Sequence, residues 1–293
     1  MNMAKMDNSV GGGKRSSRRR LILRELFRSP LVVFGIAVVL SVVVIAIFAS
    51  YIAPYNPSQI NFSAVTAPPS GAHPFGTDDM GRDILSRVIY GSRIDLMVGL
   101  LTILGAVVIG LPIGAIAAYR GGWVDEVIMR ITDMFLAFPS LVLAMALAAA
   151  LGPGLIHAME AMLITWWPWY TRLIRGQVLA IKTNTYVEAA RAVGANDFRI
   201  ILRHVLPNSL SPIIVQGTMD IGNAILTAAA LSFIGLGAQP PQPEWGAMIT
   251  IGRNYIQQYW WMATFPGLAI LLTVIGFNLF GDGLRDSLDP RLQ

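Results

Sequence analysis

The stretch TYVEAARAVGANDFRIILRHVLP occupies residues 185–207 and is polar and basic, although long uncharged segments lie on both sides of it. Its first residue, Thr185, and Glu188 form the T-x-x-E pattern of a capping box, which predicts that a helix begins at Thr185. Gly194 predicts the end of that helix, because glycine readily adopts the left-handed conformation that follows many helices. A second helix should begin within residues 196–197 and run to the end of the stretch. We therefore expect a helical hairpin here.

The composition indicates a membrane protein. Hydrophobic residues make up 54% of the 293 positions and charged residues only 13%, about half the charge content of a soluble domain. A helix needs roughly 20 residues to cross a hydrocarbon layer about 30 Å thick. Four stretches without any charge meet that length, and two more contain a single carboxylate each, Glu160 or Asp220. The six predicted spans are residues 31–52, 96–119, 134–156, 154–171, 211–236 and 254–281.

Prolines and small residues inside these spans indicate that they pack against one another. Proline kinks or breaks a helix unless neighbouring helices satisfy the backbone groups that it frees, and Gly110 and Gly114 form a small-xxx-small pair that permits close helix contact. The prolines in question are Pro112, Pro139, Pro168 and Pro266. The predicted fold class is therefore an all-α polytopic bundle.

The distribution of lysine and arginine predicts the orientation in the membrane. Of the 22 Lys and Arg residues, eighteen precede the first span or follow an even-numbered span, and four lie on the other side. Positively charged loops are retained in the cytoplasm, so both termini are expected there. The net charge of +5 then reflects topology, and nucleic-acid binding is excluded as an explanation because the basic residues flank the membrane rather than covering a soluble face.

A short amphipathic pattern precedes the second span. Residues 83–90 place four apolar side chains on one helical face: Ile84, Leu85, Val88 and Ile89. Such a face is typical of a helix that lies along the membrane surface. We therefore predict a separate interfacial helix within an outer loop.

Several motifs resemble one family. The Glu-Ala-Ala triplet at residues 188–190, Gly194 and the pair Leu206-Pro207 resemble the cytoplasmic signature of ABC-importer permeases. Further segments resemble the dipeptide, oligopeptide and nickel branch, most closely its second permease chain; they are residues 76–83, 231–246 and 281–290. The resemblance implies the type I ABC-importer permease fold with six transmembrane helices.

In that family the hairpin is a coupling helix that sits in a cleft of an ATPase subunit. The resemblance assigns this role to Tyr186, Glu188, Ala189, Ala190, Arg191, Gly194, Phe198, Leu206 and Pro207. Alanine permits close approach, Gly194 permits the turn, and Glu188 and Arg191 can pair with the partner, as helix-in-groove recognition requires. The alternative for Glu188 is that it only caps its own helix.

The resemblance also predicts how the chain is divided. The predicted segments are a basic cytoplasmic tail at residues 1–29, a first transmembrane helix at 30–52, an extracytoplasmic loop with the interfacial helix at 53–95, a permease core of five transmembrane helices at 96–283 with the coupling loop at 176–208, and a cytoplasmic tail at 284–293.

The chain is predicted to lack an ATPase site of its own. No phosphate-binding loop of the form G-x-x-x-x-G-K-[ST] occurs in the sequence,. The resemblance implies that ATP and Mg²⁺ bind at two partner ATPase subunits or domains, and that a second permease chain and an extracytoplasmic substrate-binding protein complete an importer in the bacterial inner membrane. No cofactor or metal is expected on this chain, and with no cysteine it has no thiolate metal site,.

Charged residues inside the predicted spans are candidates for function, because a charge at the bilayer centre costs about 2.5–3.5 kcal/mol. Asp133 is expected to pair with Arg130. Asp220 and Glu160 are candidates for the translocation path, Asp220 also for binding a cation or a peptide amino terminus.

Three alternatives stay open at this point. The substrate is a di- or oligopeptide, or else nickel or another small solute. A different interpretation is an ion-coupled secondary transporter that uses Asp220, Glu160 or His157. An intramembrane enzyme has little to build on, since the chain has three histidines and no convergent pair of carboxylates,.

Overall fold

The computed structural model describes residues 29–288, and this part of the chain contains helices, turns and one isolated bridge between Thr77 and Asp83. The all-α prediction is confirmed. The helices are α1 (Pro30–Ile52), α2 (Ile84–Arg120), α3 (Gly122–Leu136), α4 (Ser140–Leu151), α5 (Leu155–Ile181), α6 (Thr185–Ala192), α7 (Asp197–Ile200), α8 (Leu206–Phe233), α9 (Trp245–Gly252) and α10 (Trp261–Leu288), with one π-helical turn at Ile201–Val205.

The predicted tails lie mostly outside the described residues. Residues 1–28 of the basic tail and residues 289–293 are among those not described. The helix α10 continues without a break to Leu288, into the predicted C-terminal tail, and the boundary at residue 284 stays a prediction.

Within residues 29–288, four helices are long and apolar enough to cross a membrane: α1, α2, the continuous rod from Asp197 to Phe233, and α10. The pair α3 and α4 would be a fifth if it forms one span. The helix α5 has 27 residues, which corresponds to about 40 Å, but it carries Glu160, Arg172 and Arg175. A count of six transmembrane helices therefore stays a prediction with respect to α5.

The third predicted span is wrong as a single helix. The chain bends by 84° between α3 and α4, and Pro139 occupies the N-cap position of α4. Proline has no N–H to continue a helix and forces the preceding residue away from the helical conformation. The uncharged run at residues 134–156 was interpreted as one span because hydropathy does not register a change in backbone direction, although Pro139 is one of the prolines expected to kink or break a helix.

The predicted interfacial helix is also wrong. Residues 84–90 are the first two turns of α2, which runs on for 37 residues. Both Ile84 and Arg87 are only 1% exposed, because the outer loop together with residues of α9 and α10 covers them. The amphipathic pattern therefore marks a buried contact with protein rather than a contact with the membrane surface.

Glycines bring α2 and α5 together. A Cβ atom at Gly110 would lie 2.8 Å from the Cβ of Tyr170, and one at Gly114 would lie 2.4 Å from the carbonyl oxygen of Thr171. Real Cβ atoms do not approach other heavy atoms so closely, so larger residues would push the helices apart. The pair Gly110 and Gly114 thus has the close-packing role predicted for it.

Residues 53–83 form a folded cap on one end of the bundle. The guanidinium of Arg82 donates to Asp78 at 2.7 Å, and Arg87 lies 3.6 Å from the same carboxylate. The indole of Trp261 donates to the carbonyl of Thr77 at 3.2 Å and so joins the cap to α10. Gly81 has a φ of +72°, and a Cβ there would lie 1.9 Å from the carbonyl oxygen of Asn61.

The helix α9 is held against α2 by two buried carboxyl groups. Glu244 caps α9 by accepting from the backbone N–H groups of Gly246 and Ala247 at 2.9 and 2.7 Å. Asp95 accepts from the N–H of Trp245 at 3.2 Å and lies within hydrogen-bonding reach of Glu244. Both carboxyl side chains belong to residues with no exposed surface.

We expect Gly81→Ala to destabilise the cap. The left-handed backbone alone costs about 1–3 kcal/mol for a residue with a Cβ, and the overlap with Asn61 adds to that cost. The melting temperature of the purified protein should fall by about 5 °C. Gly71→Ala is the matched control in the same cap, because a Cβ at Gly71 meets no atom within 4 Å. Equal melting temperatures for the two variants would contradict the assignment.

The stability should also depend on pH through Glu244. Burial raises the pKa of Glu244 above its ordinary range, although its bonds from backbone N–H groups oppose the rise. A raised carboxyl pKa gives stability that is complete below the unfolded pKa, about 4.3, and is lost as the pH rises through the folded value. We expect the melting temperature to fall over that range, and to fall less in Glu244→Gln, because the amide that replaces the carboxyl group cannot ionise.

Glu126, which lies near Arg130 on the surface, provides the control for this titration. Its side chain is 69% exposed. The variant Glu126→Gln should keep the pH dependence of the wild type. A Glu244→Gln profile parallel to the wild-type profile would show that the Glu244 carboxyl group has no part in the pH dependence.

Candidate functional site: an exposed hairpin and a polar groove

The hairpin at residues 185–207 is present, and Gly194 makes its turn. Gly194 has a φ of +83°, the left-handed conformation that favours glycine. Its N–H donates to the carbonyl of Arg191 at 3.0 Å, and the N–H of Ala195 donates to the carbonyl of Ala190 at 3.1 Å. This pair of bonds is a Schellman motif, which satisfies the last carbonyls of α6.

Of the two helix starts in the hairpin, one differs from the prediction and one agrees with it. The predicted capping box at the start of α6 is not formed, because Asn184 is the N-cap residue and no side chain accepts a capping bond there. Glu188 is exposed, which leaves its carboxylate on the surface. At α7 the side chain of Asn196 accepts from the N–H of Arg199 at 2.9 Å, as predicted for the start of a second helix.

A π-helical turn joins α7 to α8. It covers Ile201–Val205 and directly precedes the Leu206-Pro207 pair. Proline cannot donate a backbone hydrogen bond, and its ring collides with the carbonyl four residues earlier in a regular α-helix. Widening the turn relieves that collision, and π-turns of this kind occur within otherwise continuous helices. The second arm of the hairpin and α8 therefore form one rod.

Three buried side chains attach the hairpin to the bundle. Val187, Ile200 and Val205 have no exposed surface. They pack with residues of α2, α5 and α8 in one apolar cluster that includes Ala118 and Ile174. Ala190 and Leu206 also belong to the edge of this cluster. The alanine and the leucine of the family signature thus contribute to attachment of the hairpin.

Polar contacts from the end of α2 add to this attachment. The hydroxyl of Tyr119 donates to Asp197 at 2.8 Å, and the guanidinium of Arg191 donates to the Tyr119 oxygen at 3.3 Å. The ammonium of Lys182 donates to the carbonyl of Ala118 at 2.7 Å. Tyr119 was not predicted as a functional residue, because its position at the end of a span is the only signal that the sequence offers for it.

The outer face of the hairpin is unusually apolar for an exposed surface. Val193 is 84% exposed and Phe198 is 71% exposed. Tyr186 and Leu202 are also exposed, at 42% and 49%. Exposed apolar residues gathered in this way mark a site of contact with another molecule. The sequence predicted Tyr186 and Phe198 but missed Val193 and Leu202, although Val193 directly precedes the turn glycine.

Ion pairs between α3 and α5 lie at the same end of the bundle. Two guanidinium nitrogens of Arg175 donate to the two carboxylate oxygens of Asp125, each at 2.6 Å, and Arg172 binds Asp133. The predicted pair of Asp133 with Arg130 is wrong, because Arg130 lies 3.8 Å from Glu126 instead. A partner from another helix is in better position for Asp133 than the neighbour on its own helix.

A polar groove of about 530 Å³ opens on the side of the bundle. One wall is a stripe on α8, spaced by three and four residues so that its members share a helical face: Gln216, Asp220, Asn223 and Thr227. The other wall contains Thr165, Trp166 and Trp169 of α5 together with Leu136, Phe138 and Ser140 at the break between α3 and α4.

Asp220 lies at the base of this groove and is 7% exposed. Its carboxylate accepts from the hydroxyl of Tyr170 at 2.7 Å and from the amide of Gln216 at 3.0 Å. The amide of Asn223 is 3.5 Å away. All three donors are neutral.

The other residues predicted as candidates within the membrane, Glu160 and His157, do not line the groove. Glu160 is exposed on the second turn of α5. His157 contacts the carbonyl of Gly152 at 3.0 Å, so its ring closes the turn between α4 and α5. Within residues 29–288 no three His, Asp or Glu side chains converge as metal ligands would.

Comparison with known proteins gives consistent matches. Residues 110–293 match the family described as binding-protein-dependent transport system inner membrane component. Residues 17–69 match the N-terminal TM domain of oligopeptide transport permease C.

Two relatives illustrate the similarity. The probable D,D-dipeptide transport system permease protein DdpC of Escherichia coli K12 is 51% identical over 90% of this chain and 88% of its own length. The glutathione transport system permease protein GsiD of Pectobacterium atrosepticum is 46% identical over 92% of this chain and 90% of its own length.

Among solved structures, a chain of the MetNI methionine ABC transporter in an inward-facing conformation superposes with a TM-score of 0.57 at 20% identity, covering 70% of this chain and 98% of that chain. At this identity the likeness speaks for the fold alone, which is that of the type I importer permease. Together with the matches above, it shows that this chain belongs to the family of inner membrane components of binding-protein-dependent transport systems.

Proposed function

We propose that this chain is one permease subunit of an ATP-driven peptide importer and that its hairpin is the surface on which an ATPase subunit docks. The observation that carries the proposal is the division of the hairpin into two faces. One face is fixed by buried Val187, Ile200 and Val205, and the other presents Val193 and Phe198 to the surroundings. An apolar helix face held rigidly in this way suits insertion into a cleft.

The turn glycine supports docking of this kind. A Cβ at Gly194 would meet no atom of this chain within 4 Å. Space beside the turn is therefore open to a partner, and Glu188, Ala189 and Arg191 border that space as exposed residues. Motion of the ATPase subunits during the ATP cycle is transmitted through this contact, so the chain needs no nucleotide site of its own.

Movement of the hairpin is transmitted into the membrane along the rod formed by α7, the π-turn and α8. From Pro207 to Asp220 the rod extends about 20 Å at the rise of an α-helix. A displacement of the hairpin therefore displaces the wall of the polar groove. This is the structural requirement of alternating access, in which the path opens first on one side and then on the other.

The polar groove is the proposed contribution of this chain to the translocation path. Asp220 and its polar neighbours are unsuited to contact with lipid, because a charge within the membrane faces protein or water. A second, related permease chain would close the groove from the open side. A substrate-binding protein would deliver cargo to the end that carries the cap, since that end is opposite to the hairpin.

The orientation follows from the same assignment. Tyr119, Lys182 and the arginines of the hairpin lie together at one end of the bundle, and Arg82, Arg87 and Arg93 lie at or next to the cap. The positive-inside rule places the hairpin end in the cytoplasm. Both termini are then cytoplasmic in a multi-pass protein of the inner membrane.

The cargo is proposed to be a small peptide. The related permeases are named for D,D-dipeptides and for glutathione. These compounds differ in chirality and in the type of amide linkage, but each has a primary ammonium and a carboxylate. A translocation path that accepts small zwitterionic peptides would accept both kinds of compound. The substrate-binding protein would then select which peptide is transported.

The docking role predicts that Gly194→Asp prevents association with the ATPase subunits. The new side chain would project into the open space beside the turn and place a charge in the partner's cleft. Co-purification of the tagged chain with its ATPase subunits, followed by ATP hydrolysis, measures the effect. We expect association to fall at least about tenfold, which corresponds to about 1.4 kcal/mol.

Gly235→Asp is the matched control for this experiment. Gly235 has a φ of +86°, and a Cβ at this position would also meet no atom within 4 Å. The backbone strain is therefore the same, but Gly235 lies at the capped end. The variant should keep the ATPase subunits. Retention of the ATPase subunits by both variants would contradict docking at the hairpin.

Phe198 is predicted to be the main anchor of the docking surface. Its exposed ring contributes little to the fold of the isolated chain, whereas exposed aromatic residues often dominate an interface, at about 2 kcal/mol or more. Phe198→Ala should therefore leave the melting temperature unchanged and weaken ATPase binding about 30-fold. Val187→Ala should do the opposite and lower the melting temperature, because it leaves a cavity in the buried cluster. A melting temperature that falls with Phe198→Ala would show that this ring supports the fold instead.

A further inference from the structure

We propose that Asp220, together with Trp166 and Trp169, binds the primary ammonium group of the peptide while it is in transit through the groove. This inference rests on the proposed function, because it takes the groove as part of the translocation path. It adds the ligand class of the groove and the residues that recognise it.

The carboxylate of Asp220 is fixed in position by the bundle. The hydroxyl of Tyr170, itself fully buried, donates to one oxygen, and the amide of Gln216 donates to the other. Because each donor is a neutral hydroxyl or amide, the bonds orient the carboxyl group of Asp220 but supply no positive charge next to it.

Two basic side chains on α5, the helix that carries the tryptophans, form ion pairs outside the groove. Arg172 and Arg175 lie on α5 one and two turns beyond Trp169, but they bind Asp133 and Asp125 of α3. None of the residues that line the groove is a lysine, an arginine or a histidine. A cation that enters the groove is therefore attracted to Asp220 without competition from a lining residue.

The two tryptophans complete a site for an organic cation. Trp166 and Trp169 line the wall opposite the polar stripe, and the face of an indole ring attracts ammonium groups. The groove volume of about 530 Å³ is within the range of sites that hold small organic ligands,. Its polar lining accommodates an amide, so a small peptide fits the groove better than a bare metal ion.

A purely structural role for Asp220 makes a different prediction. If the carboxylate only accepts bonds from Tyr170 and Gln216, then an isosteric Asn at position 220 keeps an acceptor for Tyr170 and changes ligand binding little. If Asp220 binds an ammonium group, then the same substitution removes the charge that the ligand needs. Binding of a peptide with and without its amino group separates the two roles.

The test is equilibrium dialysis of the purified transporter in lipid nanodiscs, without substrate-binding protein, against two radiolabelled compounds. The first is alanylalanine, and the second is propanoylalanine, which lacks only the amino group. The wild type should bind alanylalanine at least about tenfold more tightly. Asp220→Asn should reduce this preference to less than about twofold, while Glu126→Gln, an exposed carboxylate outside the groove, should retain it.

A second variant covers the case in which Asp220→Asn fails to fold. Asn223 is exposed at the mouth of the groove, so Asn223→Lys places a competing ammonium beside Asp220 without removing the bonds from Tyr170 and Gln216. It should abolish the preference as well. Equal affinities of the wild type for both compounds, no binding of either, or an unchanged preference in a folded variant would overturn the proposal.

The same sample separates this inference from the proposed function. If the ATPase subunits co-purify and hydrolyse ATP but the amino-group preference is missing, the ammonium site is wrong and the importer stands. If no ATPase subunit associates, the importer is wrong, and the dialysis on the chain alone still decides whether the groove recognises an ammonium group.

Discussion

The continuity of the helical rod from Asp197 to Phe233 is the constraint on which the other features depend. The rod begins in the exposed hairpin and carries Asp220 on its fourth turn beyond Pro207. A flexible loop between these two parts would absorb any movement of the hairpin. The π-turn at Ile201–Val205 accommodates proline without such a loop, so the two ends of the rod move together.

The helices on which the rod packs are themselves tightly joined. The helices α2 and α5 meet at Gly110 and Gly114 with almost no space between their backbones, and protein interiors packed in this way transmit displacement instead of deforming. Ion pairs from Arg172 and Arg175 hold α3 to the same unit. The groove therefore lies at a boundary between the rod and a second unit that contains the tryptophans.

Sequence patterns predicted the parts of the fold that depend on local chemistry. The glycine turn at Gly194, the second helix beginning at Asn196 and the close packing at Gly110 follow from backbone sterics and hydrogen bonding, which act over a few residues. The span across Pro139 was predicted as one helix because an uncharged run does not show a change in backbone direction. The burial of Arg87 was missed because it depends on which distant segment covers that residue. For the same reason Asp220 was found as a charge within a span, but its neutral donors and the tryptophan wall became evident only in three dimensions.

One contact in the cap determines when the cap can fold during synthesis of the chain. The bond from Trp261 to Thr77 joins residues 184 positions apart, and the indole of Trp261 lies where a side chain at position 76 would be. During synthesis the N-terminal part of a chain emerges first. The segment at residues 53–83 cannot complete its packing until the last helix has been made and inserted, so the cap closes only on a chain whose other helices are already in place.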